Sequence, residues 1–247
     1  MSEALVMVGR SVRLSRRQVD ALIMSLALPV MLMIVFVYLF GGAIMRDGHY
    51  VQYVVPGVIM LCAAYGSALT AVSVCTDMST GVIDRFRSMD VSGAALLNGH
   101  VVASVLRNLA SAVVVFAVAF ALGFRTHASA AGWAGAIGLL VLFVLAISWL
   151  AAVAGLLAPS PESANGFTFL AMFLPYASSA FVPIDTMPSW LRGFARHQPS
   201  TPVIESIRGA LLGQPIGHSG WVAIAWCVGI LAVSVAAATL IFRRRIR

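Results

Sequence analysis

Six apolar runs dominate this chain and limit the folds that are open to it. Each run is about 20 residues or longer, and a helix rising about 1.5 Å per residue could carry each one across about 30 Å of hydrocarbon. Backbone polar groups in lipid must be satisfied within the segment, so we expect helices. The predicted spans are 21–40, 53–74, 101–124, 133–157, 164–182 and 221–242. The sequence therefore predicts an all-α integral membrane protein with six transmembrane helices in a single domain, 1–247.

The composition agrees with this class and excludes others. Hydrophobic residues make up 60% of the chain and charged residues only 10%, whereas soluble domains carry about 25% charged residues. All 16 basic residues are arginine. A P-loop places a lysine on the nucleotide phosphates, so this chain is not expected to be a conventional P-loop ATPase. The net charge of +7 follows membrane topology, and we do not expect nucleic-acid binding.

The arginines also predict orientation. They are concentrated before the first run, between the second and third runs, and in the C-terminal tail. Under the positive-inside rule these regions are cytoplasmic, so both termini of this multi-pass plasma-membrane protein are predicted to lie inside the cell. Residues 1–20 are expected to form an amphipathic helix at the membrane surface, because Leu5, Val8 and Val12 recur at helical spacing among arginines.

The cytoplasmic segment 76–100 is too long for a simple turn and predicts a docking surface for another protein. Within it, residues 80–89 form a candidate helix whose apolar stripe is Val82, Phe86 and Met89. Phe86 is the expected anchor, because large aromatic side chains dominate interface energetics. The other residues assigned to this surface are Asp77, Gly81, Asp84, Arg85 and Arg87. The alternative is an exposed loop with incidental charges.

The outer segment 183–219 is the second unusual region. We predict two short helices that dip into the outer leaflet, against the alternative of an ordinary surface loop. The first helix would carry Pro188 and Trp190. The second would begin with Thr201 as N-cap and Pro202 at the first helical position. Ile204, Ile207 and Leu211 would form one face of this helix, with Glu205 and Arg208 off that face.

Few polar groups fall near membrane depth. Arg107 and Asn108 lie within the third predicted span. Intramembrane charges are functional candidates, although Arg107 could instead snorkel to the inner headgroups. Glu162 stands in an inner turn, where it would contact a partner or cap a helix. The histidines are dispersed and form no ligand set, so no metal or cofactor is expected on this chain.

Three stretches resemble one known family. They are Thr76–Met89, with the sequence TDMSTGVIDRFRSM; Ser160–Asn165, with SPESAN; and Ala180–Leu191, with AFVPIDTMPSWL, followed by QPSTP at 198–202 and ESIRG at 205–209. On these motifs the chain is similar to the type-2 ABC exporter permeases, in particular the daunorubicin-resistance subgroup. Family members often have proline where this chain has Asp90, which leaves the turn after Met89 open.

The resemblance implies a bacterial permease without its own ATPase. Such permeases pair with a separate ABC ATPase subunit, which binds ATP and Mg, and they work as a homodimer or with a similar permease. The segment at 80–89 would be the coupling helix, and Glu162 would be a possible second inner contact. The substrate class implied is a drug-like or lipid amphiphile, moved out of the cell as in multidrug efflux and antibiotic resistance. Membrane lipid would be a further partner of the chain.

Other readings stay open beside this one. A proton-coupled secondary transporter would be expected to carry acidic residues inside its spans, and the predicted spans contain none. A membrane-embedded enzyme would need a nucleophile or metal motif, and neither His-Glu-x-x-His nor Gly-x-Ser-x-Gly occurs. A non-transporting sensor subunit with the same fold is not distinguished by the sequence.

Overall fold

The computed structural model describes residues 19–45, 49–80 and 93–246, and within these ranges it contains helices and no strand. The predicted amphipathic helix at 1–20 therefore lies almost entirely outside the described residues. The helices are α1 (Val19–Val35), a π-helical turn (Phe36–Phe40), α2 (Gly41–Ile44), α3 (Tyr50–Ser79), α4 (Gly93–Ala121), α5 (Ala130–Leu157), α6 (Pro161–Tyr176), a 3-10 turn (Ile184–Thr186), α7 (Ser189–His197), α8 (Ser200–Leu212) and α9 (Ser219–Ile246).

Helix α3 lies at the centre of the bundle. It packs against α1, α4, α5, α6 and α8, while α9 packs on the far side against α5 and α8. In its most apolar window 78% of the residues are buried, compared with 17% for α9. A helix that is apolar all round is expected at such a central position, whereas the outer helices keep faces for lipid.

Small residues allow the neighbours of α3 to approach closely. A Cβ at Gly57 would come within 2.7 Å of the backbone of Ala180. A Cβ at Gly155 of α5 would overlap with the carbonyl oxygen of Ala71 in α3. Close approach through small residues is the usual way helices pack in lipid, where burial of apolar surface gives no driving force.

Five helices in the described residues are long and apolar enough to cross a membrane. They correspond to the first, second, third, fourth and sixth predicted spans. The fifth prediction, 164–182, falls on α6, which has 16 residues and is about 24 Å long at 1.5 Å per residue. That length is short of the hydrocarbon thickness, so the count of six spans stays a prediction.

The first span is less regular than the uninterrupted helix predicted over 21–40. Its α-helical pattern changes at Phe36 to a π-helical turn before α2 completes the crossing at Ile44. A π turn shifts the faces that follow it. Phe36 meets Phe181 at a ring-centroid distance of 4.8 Å.

Two short helices, α7 and α8, occupy the segment where two were predicted, and their depth in the bilayer stays a prediction. The assignment of Thr201 as N-cap is wrong. Helix α8 begins two residues earlier than predicted, with Ser200 as its first helical residue and Pro199 as its N-cap. The Thr201 hydroxyl instead donates to the Ala195 carbonyl at 2.6 Å and ties α8 to α7. The three residues predicted to share one face, Ile204, Ile207 and Leu211, are buried together at no more than 2% exposure.

We expect Gly57→Ala to lower the thermal stability of the detergent-solubilised protein. The new methyl group would meet the backbone of Ala180 at 2.7 Å, and backbone cannot move aside as a flexible side chain can, so a loss of about 1–3 kcal/mol is expected. Gly229→Ala in α9, where nothing lies within 4 Å, is the control and should be neutral or slightly stabilising. Equal melting temperatures for the two variants would contradict the close packing of α3.

Candidate functional site

A row of polar side chains joins α3 to α4 through much of the bundle. Ser67, Thr70 and Asp77 contribute from α3, and they face His100, Ser104, Arg107 and Asn108 from α4. We call these seven residues, with Ser148 of α5, the polar seam. Because the two helices are antiparallel, partners early on α4 lie opposite residues late on α3. The seam therefore runs from the middle of the bundle to the end where α3 stops.

The centre of the seam is a layer of fully buried hydroxyl and amide groups. The Asn108 amide nitrogen donates to the Ser104 carbonyl at 2.9 Å and lies 3.4 Å from the Ser67 hydroxyl. The Ser148 hydroxyl donates to that of Ser104 at 2.8 Å and is 3.3 Å from that of Ser67. Three helices thus share one hydrogen-bonded layer. Such groups are costly in lipid unless they are paired, so the layer specifies how the helices meet.

Arg107 extends this layer toward the end of α3. Its terminal nitrogen donates to the Gly66 carbonyl at 2.8 Å and to the Thr70 hydroxyl at 3.1 Å. The guanidinium is therefore bonded to α3, which differs from the free snorkelling considered from the sequence. Gly66 is required here for space, because a Cβ would overlap with the side-chain oxygen of Asn108. Arg107 and Asn108 therefore contribute to neighbouring parts of the contact between α3 and α4.

Asp77 and His100 close the seam at the end of the bundle. The His100 ring Nε2 is 3.0 Å from the Asp77 carboxylate, and the two side chains are only 8% and 13% exposed. This pair connects the last turn of α3 with the second turn of α4. Asp77 was predicted on the docking surface, and in the structure its carboxylate faces α4.

The segment 81–92 connects the helices that this pair joins. Seven of the residues predicted for coupling lie outside the described residues, and they are Gly81, Val82, Asp84, Arg85, Phe86, Arg87 and Met89. Their assignment stays a prediction. The described neighbourhood establishes that both flanking helices are fixed to each other immediately beside the segment.

The beginning of α6 lies at this same end of the bundle. Helix α6 begins with a reciprocal capping box, in which Ser160 and Ser163 bond each other's backbone N–H groups. Glu162 is exposed in this first turn, and hydrogen bonds from its own backbone N–H and from Ser160 lower its pKa. The Cys75 thiol of α3 lies 3.6 Å from the Ala158 carbonyl just before α6. Glu162 is thus an exposed carboxylate at the end of the bundle that also holds Asp77.

At the opposite end of the bundle, Arg208 of α8 is the centre of a polar cluster. Its guanidinium donates to the Tyr53 carbonyl at 3.1 Å and to the Ser179 carbonyl at 2.7 Å, and it stacks over the Tyr53 ring at 3.8 Å. Burial raises the pKa of Glu205, an effect that nearby Arg208 opposes. Arg208 was predicted to lie off the face formed by Ile204, Ile207 and Leu211, and in the structure it joins α8 to α3 and to the turn after α6.

The remaining outer residues have different surroundings. Pro188 precedes the first turn of α7, and Trp190 is 78% exposed. Pro202 is buried, and its carbonyl accepts a 2.6 Å hydrogen bond from Ser206. Arg208 and Glu205 line a cavity of about 400 Å³ with Asp185 and Arg196. The structure therefore brings Glu205 and Arg208 together but leaves Trp190 at the surface.

Sequence reasoning missed most of the seam, although a signal was present. On α4, His100, Ser104 and Asn108 recur every four residues, which places them on one helix face. On α3, Ser67, Thr70 and Asp77 are spaced to share a face as well. A single polar residue inside an apolar run gives only a weak signal. It predicts a helix contact only when a matching polar stripe on a second helix faces it. The described residues contain no group of three or more potential metal ligands.

The chain is similar to transport proteins over most of its length. Residues 2–212 match the model of the ABC-2 type transporter family. The chain is 30% identical over 188 residues to a daunorubicin resistance ABC transporter permease protein of Streptomyces coeruleorubidus, covering 75% of this chain and 66% of that protein. It is 22% identical to a probable doxorubicin resistance ABC transporter permease protein of Mycobacterium tuberculosis, over 99% and 89% of the two chains. A putative transport permease of Cyanophora paradoxa is 26% identical, over 90% and 76% of the two chains.

Asn108→Ala should reduce stability by about 1 kcal/mol, because it removes the amide that joins the Ser104 and Ser67 groups in a buried layer. Thermal unfolding in detergent measures the effect. Asn165→Ala removes an exposed amide that accepts only from Thr168 and should change stability little. Equal losses in the two variants would show that the seam contributes no special stability.

Glu205→Gln should remove part of the pH dependence of stability. The raised pKa means that the folded state holds its proton above the ordinary value of 4.5, where the unfolded state has released it. The resulting stabilisation is complete at low pH and is lost as pH rises through the raised pKa. Melting temperatures measured from about pH 4.5 to about pH 8 should therefore fall less in Glu205→Gln than in the unmodified protein.

Asp185→Asn is the matched control for this pH series, because it removes an exposed carboxylate from the same cavity. A flattened profile in Asp185→Asn but not in Glu205→Gln would contradict the role assigned to Glu205.

Proposed function

The chain belongs to the ABC-2 type transporter family, and we propose that it is the membrane-spanning permease subunit of an ABC exporter. ATP hydrolysis in a separate subunit would drive transport. The observation that carries the mechanism is the Asp77–His100 pair, which joins α3 and α4 on both sides of the segment 81–92. A force applied to that segment would reach two helices together.

The polar seam would carry the movement further into the bundle. Hydrogen bonds from Arg107 and Asn108 tie α4 to α3, and Ser148 brings α5 into the same layer. Helices linked in this way are expected to move as a unit, because separating them would leave polar groups unpaired in lipid. The central position of α3 would then transmit a displacement from the coupling end to α8 through Arg208 and the Tyr53 carbonyl.

The coupling surface in this proposal consists of the residues at 81–89 with Phe86 as anchor. Exposed Glu162, in the capped first turn of α6, would provide a second contact with the ATPase. A carboxylate kept ionised at a helix N-terminus is suited to pair with a basic group of a partner. The ATPase subunit would bind ATP and Mg, while this chain would bind neither.

The proposed assembly contains two permease chains and two ATPases. The two permeases would be identical, or one would be a similar permease, with the substrate path between them. The topology would be six spans with both termini cytoplasmic, in the bacterial plasma membrane. In this arrangement α6 crosses as the short fifth span, extended by the turn residues that follow it, and α7 and α8 lie at the outer leaflet.

The proposed substrate is a hydrophobic or amphipathic compound, drug-like or lipid. The names of the two resistance permeases support the drug-like class. An apolar cavity of about 330 Å³ between α5, α8 and α9, lined in part by Gly135, Leu139 and Ile224, is compatible with handling apolar groups. Export is the direction that these relatives suggest.

Phe86→Ala should reduce substrate-stimulated ATP hydrolysis and transport by about tenfold or more, as expected when an interface anchor is truncated. The assay uses the chain co-purified from membranes with its ATPase subunit and reconstituted into vesicles. Phe194→Ala is the control, because it truncates a half-exposed phenylalanine of α7, at the opposite end of the bundle.

Unchanged hydrolysis and transport in Phe86→Ala would refute the coupling assignment. A chain that purifies with no P-loop subunit would refute the ABC exporter proposal itself. In that case, a proton-coupled secondary transporter or a membrane sensor would become the better explanation.

A further inference from the structure

A cavity of about 690 Å³ opens at the end of the bundle where α2 ends and α3 begins. Its polar lining includes His49, Gln52, Arg125, His127 and Arg208, and Leu212 contributes apolar wall. No carboxylate occurs among its described lining residues. The described lining thus has two arginines and two histidines, while Glu205, which lies near Arg208, lines the neighbouring cavity. This charge balance among the described lining residues favours an anionic occupant.

Arg125 is held at the rim of this cavity by anchors on both sides. Phe124 is completely buried in the core. On the other side, the Thr126 hydroxyl and the His127 N–H both donate to the Leu211 carbonyl, at 2.7 Å and 3.1 Å. Gly123 has a φ of +94°, a left-handed conformation that favours glycine where α4 turns into this loop. The backbone position of Arg125 is therefore set before any ligand binds.

Arg208 supplies a second fixed charge deeper in the cavity. A guanidinium carries five N–H donors, and two of its nitrogens are already bonded to the Tyr53 and Ser179 carbonyls. Those bonds and the stacking on Tyr53 fix the plane of the group. The fixed guanidinium of Arg208, with Arg125 on its anchored loop, is suited to the oxygens of a phosphate, which guanidinium groups bind through paired hydrogen bonds.

Gln52 adds a requirement for a hydrogen-bond donor. Its side-chain oxygen is buried and has no hydrogen-bond partner among the described residues. A buried acceptor without a donor costs free energy. An anion with a hydroxyl group would satisfy the charges and this oxygen together.

We propose that this cavity binds the phosphate and hydroxyl-bearing headgroup of an anionic glycerophospholipid. In the proposed topology this cavity would lie at the outer ends of several spans, at the level of the lipid headgroups, where a basic pocket between helices is suited to an anionic headgroup. The site is separate from the coupling segment at the other end of the bundle and does not depend on the identity of the transported substrate.

The test measures lipid binding to the full chain, purified in detergent with any subunits that accompany it. Phosphatidylglycerol, phosphatidylcholine and soluble glycerol phosphate are titrated separately, and bound ligand is counted by native mass spectrometry. The expected result is selective binding of phosphatidylglycerol. Selective binding of glycerol phosphate at similar affinity would overturn the lipid assignment in favour of a free phosphate site.

Arg125→Gln should weaken phosphatidylglycerol binding about tenfold, the effect expected for loss of one charge-assisted hydrogen bond. Arg125 is exposed and makes no ion pair in the described part of the chain, so the variant is expected to fold. Arg192→Gln is the charge-matched control, because Arg192 is exposed on α7 and does not line the cavity. Equal weakening by both variants, or none by Arg125→Gln, would overturn the proposal.

Gln52→Met tests the hydroxyl separately. Phosphatidylmethanol carries the same charge as phosphatidylglycerol but no headgroup hydroxyl. The unmodified chain should prefer phosphatidylglycerol, and Gln52→Met should lose that preference while retaining its preference for anionic lipid over phosphatidylcholine. A preference for phosphatidylglycerol that survives in Gln52→Met would overturn the role given to this amide.

Discussion

The hydrogen bonds between α3 and α4 are the constraint on which the rest of this structure depends. Lipid provides no partners for buried hydroxyl, amide or guanidinium groups, so each must be satisfied by another helix. Ser67, Ser104, Ser148 and the Asn108 amide nitrogen hydrogen-bond in a single layer, whereas the Asn108 side-chain oxygen has no partner among the described residues. A register change by one helical turn would separate these groups and leave them unpaired. Apolar packing alone tolerates such shifts, because one apolar side chain can replace another at a helix contact in lipid. The polar seam therefore fixes how the central helix meets its neighbours.

This constraint gives the two ends of the bundle different chemistry. At the end where α3 stops, the Asp77–His100 pair fixes the helices that flank the segment 81–92. At the other end, Arg208 bonds the start of α3 to α8 and to the turn after α6. Helix α3 is therefore connected by polar bonds near both of its ends and along its middle. A permease requires mechanical continuity across the bilayer, and a central helix connected in this way provides a physical route for it.

Much of this architecture could be anticipated, and the misses have identifiable causes. The long apolar runs predicted membrane-spanning helices. In the described residues, five helices are long and apolar enough to cross a membrane. The regular apolar steps of the outer segment predicted α7 and α8, because burial of one face follows directly from spacing. The N-cap assignment of Thr201 was wrong because its hydroxyl bonds the Ala195 carbonyl of a different helix. The π-helical turn at Phe36–Phe40 was not anticipated; its apolar sequence gives no local signal.

The sequence by itself determined that the chain is an integral membrane protein and that it lacks the lysine of a P-loop. It also identified the segment 76–100 as unusual and supplied the family resemblance. These properties follow from composition and local spacing, which need no knowledge of neighbours. Only the tertiary structure decided that Arg107 bonds α3 and that Asp77 faces His100. It also decided that Arg125 and Arg208 line one cavity. Those facts depend on which helices pack together and in what register, and residues separated by tens of positions in sequence meet only after that packing is made.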